Sequence, residues 1–526
     1  MKGRALAGAA AVTATALLVA VQAGAAVSPP VQASGLSPFA PNCHGAPQNG
    51  ALFRDSEVEP WIDVDASNLA RLIGVFQQDR FETGGASGLG TTVSADGGAT
   101  WERLPLAAEP RFSRCMGAAP GSSGDFERAT DPWVSFGPDG DAYQISLSFN
   151  DTRNLANAIL VSESEDGGRT WGAPAVVRRD TDPNVFNDKE SITADFTDGR
   201  FVYAIWDRLV FPQERARGVS FLTAAAFAGP TWFARSTDGG ESWEPARPIF
   251  DPGRNDQTIG NQIVVMPDGD LVNVMTVFRN DNRNRRQEGF VSVLRSADKG
   301  ASWSGEIPID RLGTVGVSDP ETGDFVRTGD IIPEIASDER GGTDNVYAVW
   351  QDARFTGFQR DQIAFSKSTD GGRTWSAPVR INNRRFATQA FTPAIRVDDE
   401  GNLAVVYHDF RNNDLGDARL ETDVWMLRST DGGATWREER VTPSSFDMRA
   451  APVARGFFTG DYIGLTAAGT RFTPFWSASE NDPDGTDAFA ATAVAPFGGE
   501  LIVPDAAPPG LRRQDFPRQS GKPTPN

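Results

Sequence analysis

Histidine and cysteine are both scarce in this sequence of 526 residues. The only histidines are His44 and His408, which are too few for a multi-histidine metal site and argue against a histidine-based catalytic triad. The only cysteines are Cys43 and Cys115. In an oxidising compartment two cysteines favour one disulfide, here tying the N-terminal segment to the loop that follows Trp101; the alternative is two free thiols.

Long apolar runs are also missing, apart from one at the N-terminus. Two basic residues, Lys2 and Arg4, precede the alanine-rich run Ala5–Val21, and Ala23–Ala25 offers a small-residue cleavage site. This order is typical of a signal peptide, which we predict over residues 1–26, and it indicates a secreted, extracellular protein. Because no other run is long enough to span a bilayer, we expect no membrane insertion.

Positive charge is in deficit. Lysine and arginine total 50 against 70 aspartates and glutamates, which leaves a formal net charge of −20 at pH 7. This balance argues against nucleic acid and against anionic membrane surfaces as partners. A chain of this length can bury several cores, and we expect it to be a monomer.

The sequence is rich in one repeated octet, Ser-x-Asp-x-Gly-x-(Thr/Ser)-Trp, which returns every 60 to 72 residues. Its aspartate can accept hydrogen bonds from backbone N–H groups of its own turn, and its glycines supply positive φ values. Its tryptophan has the area to wedge between neighbouring sheets and is expected to begin the next strand. The octet is therefore interpreted as a hairpin turn. The six copies are Ser94–Trp101, Ser164–Trp171, Ser236–Trp243, Ser296–Trp303, Ser368–Trp375 and Ser429–Trp436.

Each octet belongs to a unit that reads as four short strands, which indicates an all-β chain built as a β-propeller. A seventh unit lacks the octet and has three strands near Asp461–Thr466, Thr473–Trp476 and Ala488–Val494. Its fourth strand could come from Leu501–Val503 or from the N-terminal segment. We therefore predict a seven-bladed propeller, with six blades as the alternative. The expected divisions are a signal peptide (1–26), an N-terminal segment (27–58), the propeller (59–505) and a disordered tail (506–526).

Acidic and arginine residues recur in the loops on the side of each unit opposite the octet. They either bind a charged, hydroxyl-rich ligand such as a sugar acid, or pair with one another between blades. The acidic positions before first strands are Glu59, Asp131, Asp188, Glu190, Asp330 and Asp461, and the arginines after second strands are Arg80, Arg153, Arg208, Arg279, Arg354 and Arg411. The features that break this pattern are Tyr462, the cluster Asp188-Lys189-Glu190, the basic loop of Arg279, Arg283, Arg285 and Arg286, and Asp361.

The octet resembles the Asp box, or BNR repeat, of sialidases and related β-propellers, and this resemblance runs from about Glu59 to Val494. It implies a tyrosine nucleophile at Tyr462 with Glu190 as its partner, and an acid/base at Asp361. It also implies a substrate site that includes Asp188 and an arginine clamp. The candidate arginines are Arg208, for which Arg279 is a rival, Arg354 and Arg411. The family's Arg-Ile-Pro motif is absent, and the nearest stretch is Ile331-Ile332-Pro333.

The leading functional hypothesis is a secreted exo-acting glycoside hydrolase of sialidase-like type, acting on a glycan or sugar acid outside the cell. The alternative is a non-catalytic Asp-box propeller that binds carbohydrate or protein. We expect no cofactor, although the loop Asp482–Asp487 carries acidic oxygens at spacings that suit calcium.

Overall fold

The chain folds almost entirely as antiparallel β-sheet. The computed structural model describes residues 27–211, 228–281, 286–385, 387–479, 485–495 and 498–508, with the side chains of residues 281 and 286 excepted. Helical structure in this part of the chain amounts to two short 3₁₀ turns, Arg354–Thr356 and Met448–Ala450. Neither of these turns approaches the length or apolar character that a helix needs to cross a membrane. The predicted signal peptide lies outside the described residues.

Seven groups of four paired strands follow one another along the chain, and we number them sheets 1 to 7. Sheets 1 and 2 are joined by one pairing, Ala86 with Ala129, and sheets 5 and 6 each carry added strands. A separate three-stranded sheet comprises Val317–Ser318, Phe325–Arg327 and Phe457–Phe458. The first three comprise Leu52–Val64, Leu72–Phe81, Ala86–Ser94 and Glu102–Arg103 (sheet 1), Arg128–Phe136, Ala142–Phe149, Asn157–Ser164 and Ala175–Asp180 (sheet 2), and Val185–Ala194, Val202–Val210, Thr231–Ser236 and Arg247–Phe250 (sheet 3). The next three comprise Gln257–Val265, Leu271–Asp281, Arg286–Ser296 and Ile307–Arg311 (sheet 4), Glu334–Ser337, Val346–Asp352, Gln362–Ser368 and Val379–Arg380 (sheet 5), and Ala390–Val397, Leu403–Asp409, Glu421–Ser429 and Trp436–Arg440 (sheet 6). The last comprises Gly464–Ala468, Arg471–Ala478, Asp487–Ala490 and Val31–Gln32 (sheet 7).

The fourth strand of sheet 7 comes from the N-terminal segment, one of the two sources that the sequence left open. Val31 lies opposite Ala490 and Gln32 opposite Phe489. The other candidate strand lies at Glu500–Ile502 and extends sheet 6 by pairing with its last strand. The first strand of each sheet contacts the first strand of the next, and the first strand of sheet 7 contacts that of sheet 1. The seven first strands therefore form a closed cycle of neighbours.

Each octet joins the third strand of its sheet to the fourth and has the hydrogen bonds of a self-contained turn. In the first copy the Ser94 hydroxyl donates to the Asp96 carboxylate (2.9 Å) and accepts from the Gly98 N–H (2.8 Å). Asp96 also accepts from the backbone N–H and hydroxyl of Thr100 (2.9 and 2.6 Å). The same contacts recur in the other five copies.

The octet tryptophans lie between neighbouring sheets, as the sequence indicated. Trp101 packs against Phe475 of sheet 7, Trp303 against Phe233 of sheet 3, and Trp436 against Phe365 of sheet 5. The expectation that each tryptophan begins the fourth strand is wrong for sheets 1 to 5 and correct for sheet 6. A proline without an N–H to pair follows the tryptophan in three of these sheets and delays the strand, at Pro174, Pro245 and Pro378.

The two cysteines are joined in the predicted disulfide. Cys43 and Cys115 have their Cα atoms 4.8 Å apart, and the bond closes a loop across 72 residues. It attaches the segment before sheet 1 to a buried cluster that includes Phe39, Phe112 and Met116.

Replacing both cysteines with alanine is expected to lower the free energy of unfolding by roughly 2–4 kcal/mol, because the unfolded chain regains the freedom of a long loop. Denaturant unfolding of the double variant, beside oxidised wild type, measures this loss. Reduced wild type is the matched control and should unfold at the same midpoint as the variant. An unchanged midpoint in both samples would show that the bond contributes nothing.

Candidate functional site

A β-bulge interrupts the first strand of five sheets at corresponding places. The strand register shifts between Val58 and Trp61 in sheet 1, and similarly in sheets 2, 3, 4 and 6. A bulge bends the strand and turns a side chain away from the normal alternation. The residues with positive φ at these bulges are Glu59 (53°), Asp131 (52°), Lys189 (49°), Gly260 (73°) and Thr392 (50°). Four of them are not glycine, so each stores backbone strain of the kind found at functional sites.

Three of these bulges bring opposite charges together where the first strands meet. The Lys189 ammonium lies 2.8 Å from Glu59 of sheet 1, 2.6 Å from Asp131 of sheet 2 and 2.8 Å from Asp461, which precedes sheet 7. The Lys189 side chain is 9% exposed. One ammonium therefore joins three carboxylates from sheets far apart in the sequence; we call this group the lysine cluster.

Three arginines lie beside the lysine cluster. Arg327 forms a two-fold ion pair with Asp461. The guanidinium groups of Arg327 and Arg80 lie 4.4 and 4.9 Å from the centre of the Phe458 ring. Burial and the positive charges of Arg327 and Arg80 lower the pKa of Arg455 to about 10, which places the three cations within electrostatic range of one another. Arg327 and Arg455 are half-buried, whereas Arg80 is buried.

The carboxyl groups around the lysine cluster are driven toward opposite protonation states. Burial opposes ionisation of Asp461, but Arg327 and Lys189 outweigh it and hold the pKa of this carboxyl well below its usual range. Burial and the neighbouring Asp131 raise the pKa of Asp188 to about 7, and the same two causes raise the pKa of Glu59 to about 8. An ionised and a protonated carboxyl thus lie together near neutral pH, the arrangement that general acid–base chemistry uses.

Tyr462 and Glu190, the predicted nucleophile and its partner, line one small cavity of about 20 Å³ together with Lys189, Gln262 and Glu334. Both Glu190 oxygens are buried and have no hydrogen-bond partner among the described residues. Burial and the negative charges of Asp131 and Asp188 raise the pKa of Glu190 well above its usual range. The structure therefore brings these two residues together.

The Tyr462 side chain itself is enclosed. It is 5% exposed, with its ring edge-on to Trp61 and Trp133 (centroids 6.0 and 5.3 Å apart), and its hydroxyl donates to the Pro132 carbonyl (3.1 Å). Burial, followed by Glu59 and other nearby carboxylates, raises the pKa of the phenol well above its usual range. A nucleophilic role for Tyr462 stays a prediction, because in this geometry the phenol hydroxyl is hydrogen-bonded to the Pro132 carbonyl.

The four predicted clamp arginines do not meet at this site. Arg208 bonds to Asp180 on the last strand of sheet 2, and Arg279 pairs with Glu306 beside the last strand of sheet 4. Arg354 pairs with Asp352 and with Asp310 of sheet 4, and Arg411 pairs with Asp409 and Glu438. None of these printed contacts is with Tyr462 or Glu190, and the role of the four arginines as a substrate clamp stays a prediction. Arg208 and Arg354 form ion pairs with the preceding sheet, as the alternative interpretation expects, whereas Arg279 and Arg411 pair within their own sheets.

Asp361, the predicted acid/base, is buried in a separate hydrogen-bond network. Its carboxylate accepts from the Thr314 hydroxyl (2.6 Å), the Val315 N–H (3.0 Å) and the Gln351 amide (3.1 Å). Burial and the neighbouring Asp330 raise its pKa to about 7. It does not line the cavity of Tyr462 and Glu190. Residues 282–285 of the predicted basic loop and residues 482–484 of the predicted calcium loop lie outside the described residues.

Neither Arg327 nor the bulges were identified from the sequence. Of the two, only the bulges are marked by a recognisable sequence feature. In sheets 1, 2 and 6 the positive-φ residue directly precedes a proline, at Pro60, Pro132 and Pro393. A proline in a first strand cannot donate to the ladder and so indicates a bulge.

The buried protonated carboxyls predict that stability falls as pH rises. The pKa values of Glu59, Glu334 and Asp207 are raised to about 8, mainly by burial, so the folded protein holds protons that the unfolded chain releases. Their contribution is complete below about pH 4.5 and is lost on approaching pH 8. We expect the melting temperature to fall steadily between pH 5 and 8. Glu334→Gln should flatten this profile, and a melting temperature that rises over the range would contradict the prediction.

No family model matches this chain, and no curated protein matches it. Solved structures do resemble it. The Hadza microbial sialidase Hz136 is 14% identical with a TM-score of 0.46, and the match covers 88% of this chain and 95% of that one. The α-L-arabinofuranosidase Arb93A from Fusarium graminearum is 11% identical with a TM-score of 0.42, covering 89% and 98%. A protein of unknown function from Dyadobacter fermentans is 16% identical with a TM-score of 0.42, covering 71% and 94%.

Proposed function

We propose that the seven sheets are the blades of a β-propeller and that the six octets are its Asp boxes. Two observations support this: the first strands contact one another in a closed cycle, and strand Val31–Gln32 completes the last sheet. We also propose that the chain is exported, since it carries a signal-peptide pattern and one disulfide.

We propose that the protein is a glycoside hydrolase that acts on acidic sugars of extracellular glycans. The observation that carries this is the separation of protonation states around the lysine cluster, with Asp461 ionised and Asp188 protonated near neutral pH. Glycoside hydrolases of most families use two carboxyls in these two states. Asp188 is 9% exposed, which leaves it the more open of the two. In this proposal Asp188 is the acid, and Asp461, which Lys189 and Arg327 hold ionised, is the second carboxyl of the pair.

The proposed substrate carries a carboxylate because cations lie beside Asp188. Arg327 and Arg455 are half-buried, and the charge of Asp188 is felt by Arg455. An arginine fork pairs two-fold with a carboxylate. Because Arg327 already pairs in this way with Asp461, we assign the substrate carboxylate to Arg455 in place of the four arginines that the sequence indicated as the clamp. Tyr462 and Glu190 form the wall of the site beneath the lysine cluster, where a role for Tyr462 as nucleophile would require its hydroxyl to leave Pro132.

A panel of fluorogenic glycosides that includes sialosides and arabinofuranosides tests the proposal. Wild-type protein should hydrolyse an acidic sugar, and its rate should fall as pH rises through about 7. Asp188→Asn should lose at least 100-fold in kcat, the range typical for a missing general acid, with an unchanged melting temperature. Asp198→Asn, in an exposed turn of sheet 3, is the matched control. Turnover by Asp188→Asn at the wild-type rate would overturn the assignment.

The enclosure of Tyr462 favours a second candidate function, a propeller that binds an acidic sugar without cleaving it. This alternative predicts no turnover on the panel. It predicts binding of an acidic sugar by calorimetry, which Arg455→Lys should weaken because the fork geometry is lost. Turnover by wild type excludes it.

A further inference from the structure

A cation fills the boundary between successive sheets next to the octet of the following sheet. Arg235 of sheet 3 donates to the Lys299 carbonyl (2.6 Å), Arg295 of sheet 4 donates to the Gly371 carbonyl, and Lys367 of sheet 5 donates to the Gly432 carbonyl (3.1 Å). Each acceptor is the fourth residue of an octet. The remaining cations are Arg71 of sheet 1, which packs on Gly167, and Arg471 of sheet 7, which packs on Gly97.

The boundary between sheets 2 and 3 is the exception within the described chain. The corresponding carbonyl, that of Gly239, accepts instead from the Tyr143 hydroxyl (2.7 Å). The residue directly before the octet serine, which is Arg235, Arg295, Lys367 or Arg428 in sheets 3 to 6, is Glu163 in sheet 2.

An open groove of about 620 Å³ lies at this boundary. Its walls carry four carboxylates and two half-buried indoles, and no lysine or arginine of the described chain lines it. These six residues are Glu163, Glu165, Asp166, Glu241, Trp171 and Trp243. We call it the acidic groove.

Within the described chain, the neighbours that influence the Glu163 carboxyl all carry negative charge. Burial raises the pKa of Glu163 to about 7, and the next causes are the charges of Asp141, Glu165 and Glu241. Tyr143 responds to the same field, since burial and then Glu163 raise the pKa of its phenol. By contrast, Arg235 in the next sheet pairs with Glu244 (3.0 Å).

We propose that the acidic groove binds a lysine or arginine side chain of a basic peptide segment from a partner. The position of Glu163 shows which group fits, because sheets 3, 4 and 5 carry a lysine or arginine there that reaches the octet of the next sheet. A groove of this volume holds more than a single ion. The faces of Trp171 and Trp243 suit the apolar stem and the cation of a long basic side chain. This site lies at the octets, away from the lysine cluster, and does not depend on the proposed function.

Fluorescence anisotropy with a labelled hexa-arginine peptide tests the proposal on the full-length protein. Wild type is expected to bind, and added salt should weaken the binding. Glu163→Arg should weaken binding at least tenfold, because the new guanidinium occupies the groove in the manner of Arg235. The same variant should keep or raise the melting temperature, which shows that it folds.

Glu400→Arg, in an exposed turn of sheet 6, is the control. It changes the net charge by the same amount as Glu163→Arg, but at a place outside the acidic groove. An equal loss of binding in Glu400→Arg and Glu163→Arg would overturn the proposal, since attraction to the net charge alone would explain both. It would also be overturned if calcium raised the melting temperature of wild type but not of Glu163→Arg while the peptide failed to bind, because the groove would then be a metal site.

Discussion

Replacing Lys189 with methionine is expected to lower the free energy of unfolding by about 3–5 kcal/mol at pH 7, the usual cost of removing one partner from a buried ion pair. The ammonium contacts the carboxylates of Glu59, Asp131 and Asp461 within 2.8 Å. Burial favours the neutral amine, but these three carboxylates outweigh it and raise the pKa of Lys189 well above its usual range. Methionine fills a similar volume but leaves three carboxylates facing one another.

The loss of stability in Lys189→Met should become smaller as pH falls, because carboxyl groups without their cation take up protons more readily. Denaturant unfolding at pH 5 and pH 8 measures both the loss and its pH dependence. Lys299→Met is a matched control: Lys299 also has positive φ (55°), but it pairs with a single carboxylate, that of Asp195, and is more exposed. If Lys189→Met lowers the free energy of unfolding no more than Lys299→Met does, the lysine cluster does not stabilise the closed cycle of sheets.

Replacing Trp436 with alanine is expected to lower the free energy of unfolding by about 3–5 kcal/mol, the usual cost of emptying a large aromatic site in a core. Trp436 is 1% exposed, packs edge-on against Phe365 of the preceding sheet with ring centroids 5.4 Å apart, and donates its indole N–H to the Gly433 carbonyl (3.2 Å). The substitution therefore removes contacts within sheet 6 and between sheets 5 and 6. Thermal and denaturant unfolding measure the loss.

Trp243→Ala is the control for that substitution. Trp243 holds the same octet position in sheet 3, but it is half-buried beside the acidic groove, and its indole N–H has no partner within the described chain. We expect a smaller loss because less apolar area is withdrawn from water in the folded state. Equal losses in the two variants would mean that burial of the octet tryptophan does not determine its contribution.

Much of the fold could be predicted from local sequence, because the octet forms its turn with hydrogen bonds among its own eight residues. Its serine, aspartate and glycine satisfy one another within eight residues, so each copy marks the end of a third strand. In the last unit, the strand predicted at Thr473–Trp476 lies within the observed strand Arg471–Ala478. The disulfide followed from the presence of only two cysteines.

The candidate site was less predictable because its residues are brought together by irregular features. Lys189, Glu59 and Asp131 reach one another through bulges, and a shift of one residue decides which side of a strand a side chain takes. Arg327 lies between sheets 4 and 5, outside the four-strand repeat, where no recurring pattern marks it. The repeated arginines had a clear pattern, but the pattern did not show that they pair with carboxylates such as Asp180 and Glu438.

The strand pairing that completes sheet 7 also determines the order in which the protein can be assembled. Val31 and Gln32 are among the first residues of the described chain, yet their partners are Ala490 and Phe489. The cycle of sheets therefore cannot close until nearly the whole polypeptide has been synthesised. Until then, the N-terminal strand has an unpaired edge and the side of sheet 1 that packs on sheet 7 is uncovered. Surfaces of this kind are where chains associate wrongly. Folding of this protein is thus a process with a late final step, which joins the two ends of the chain.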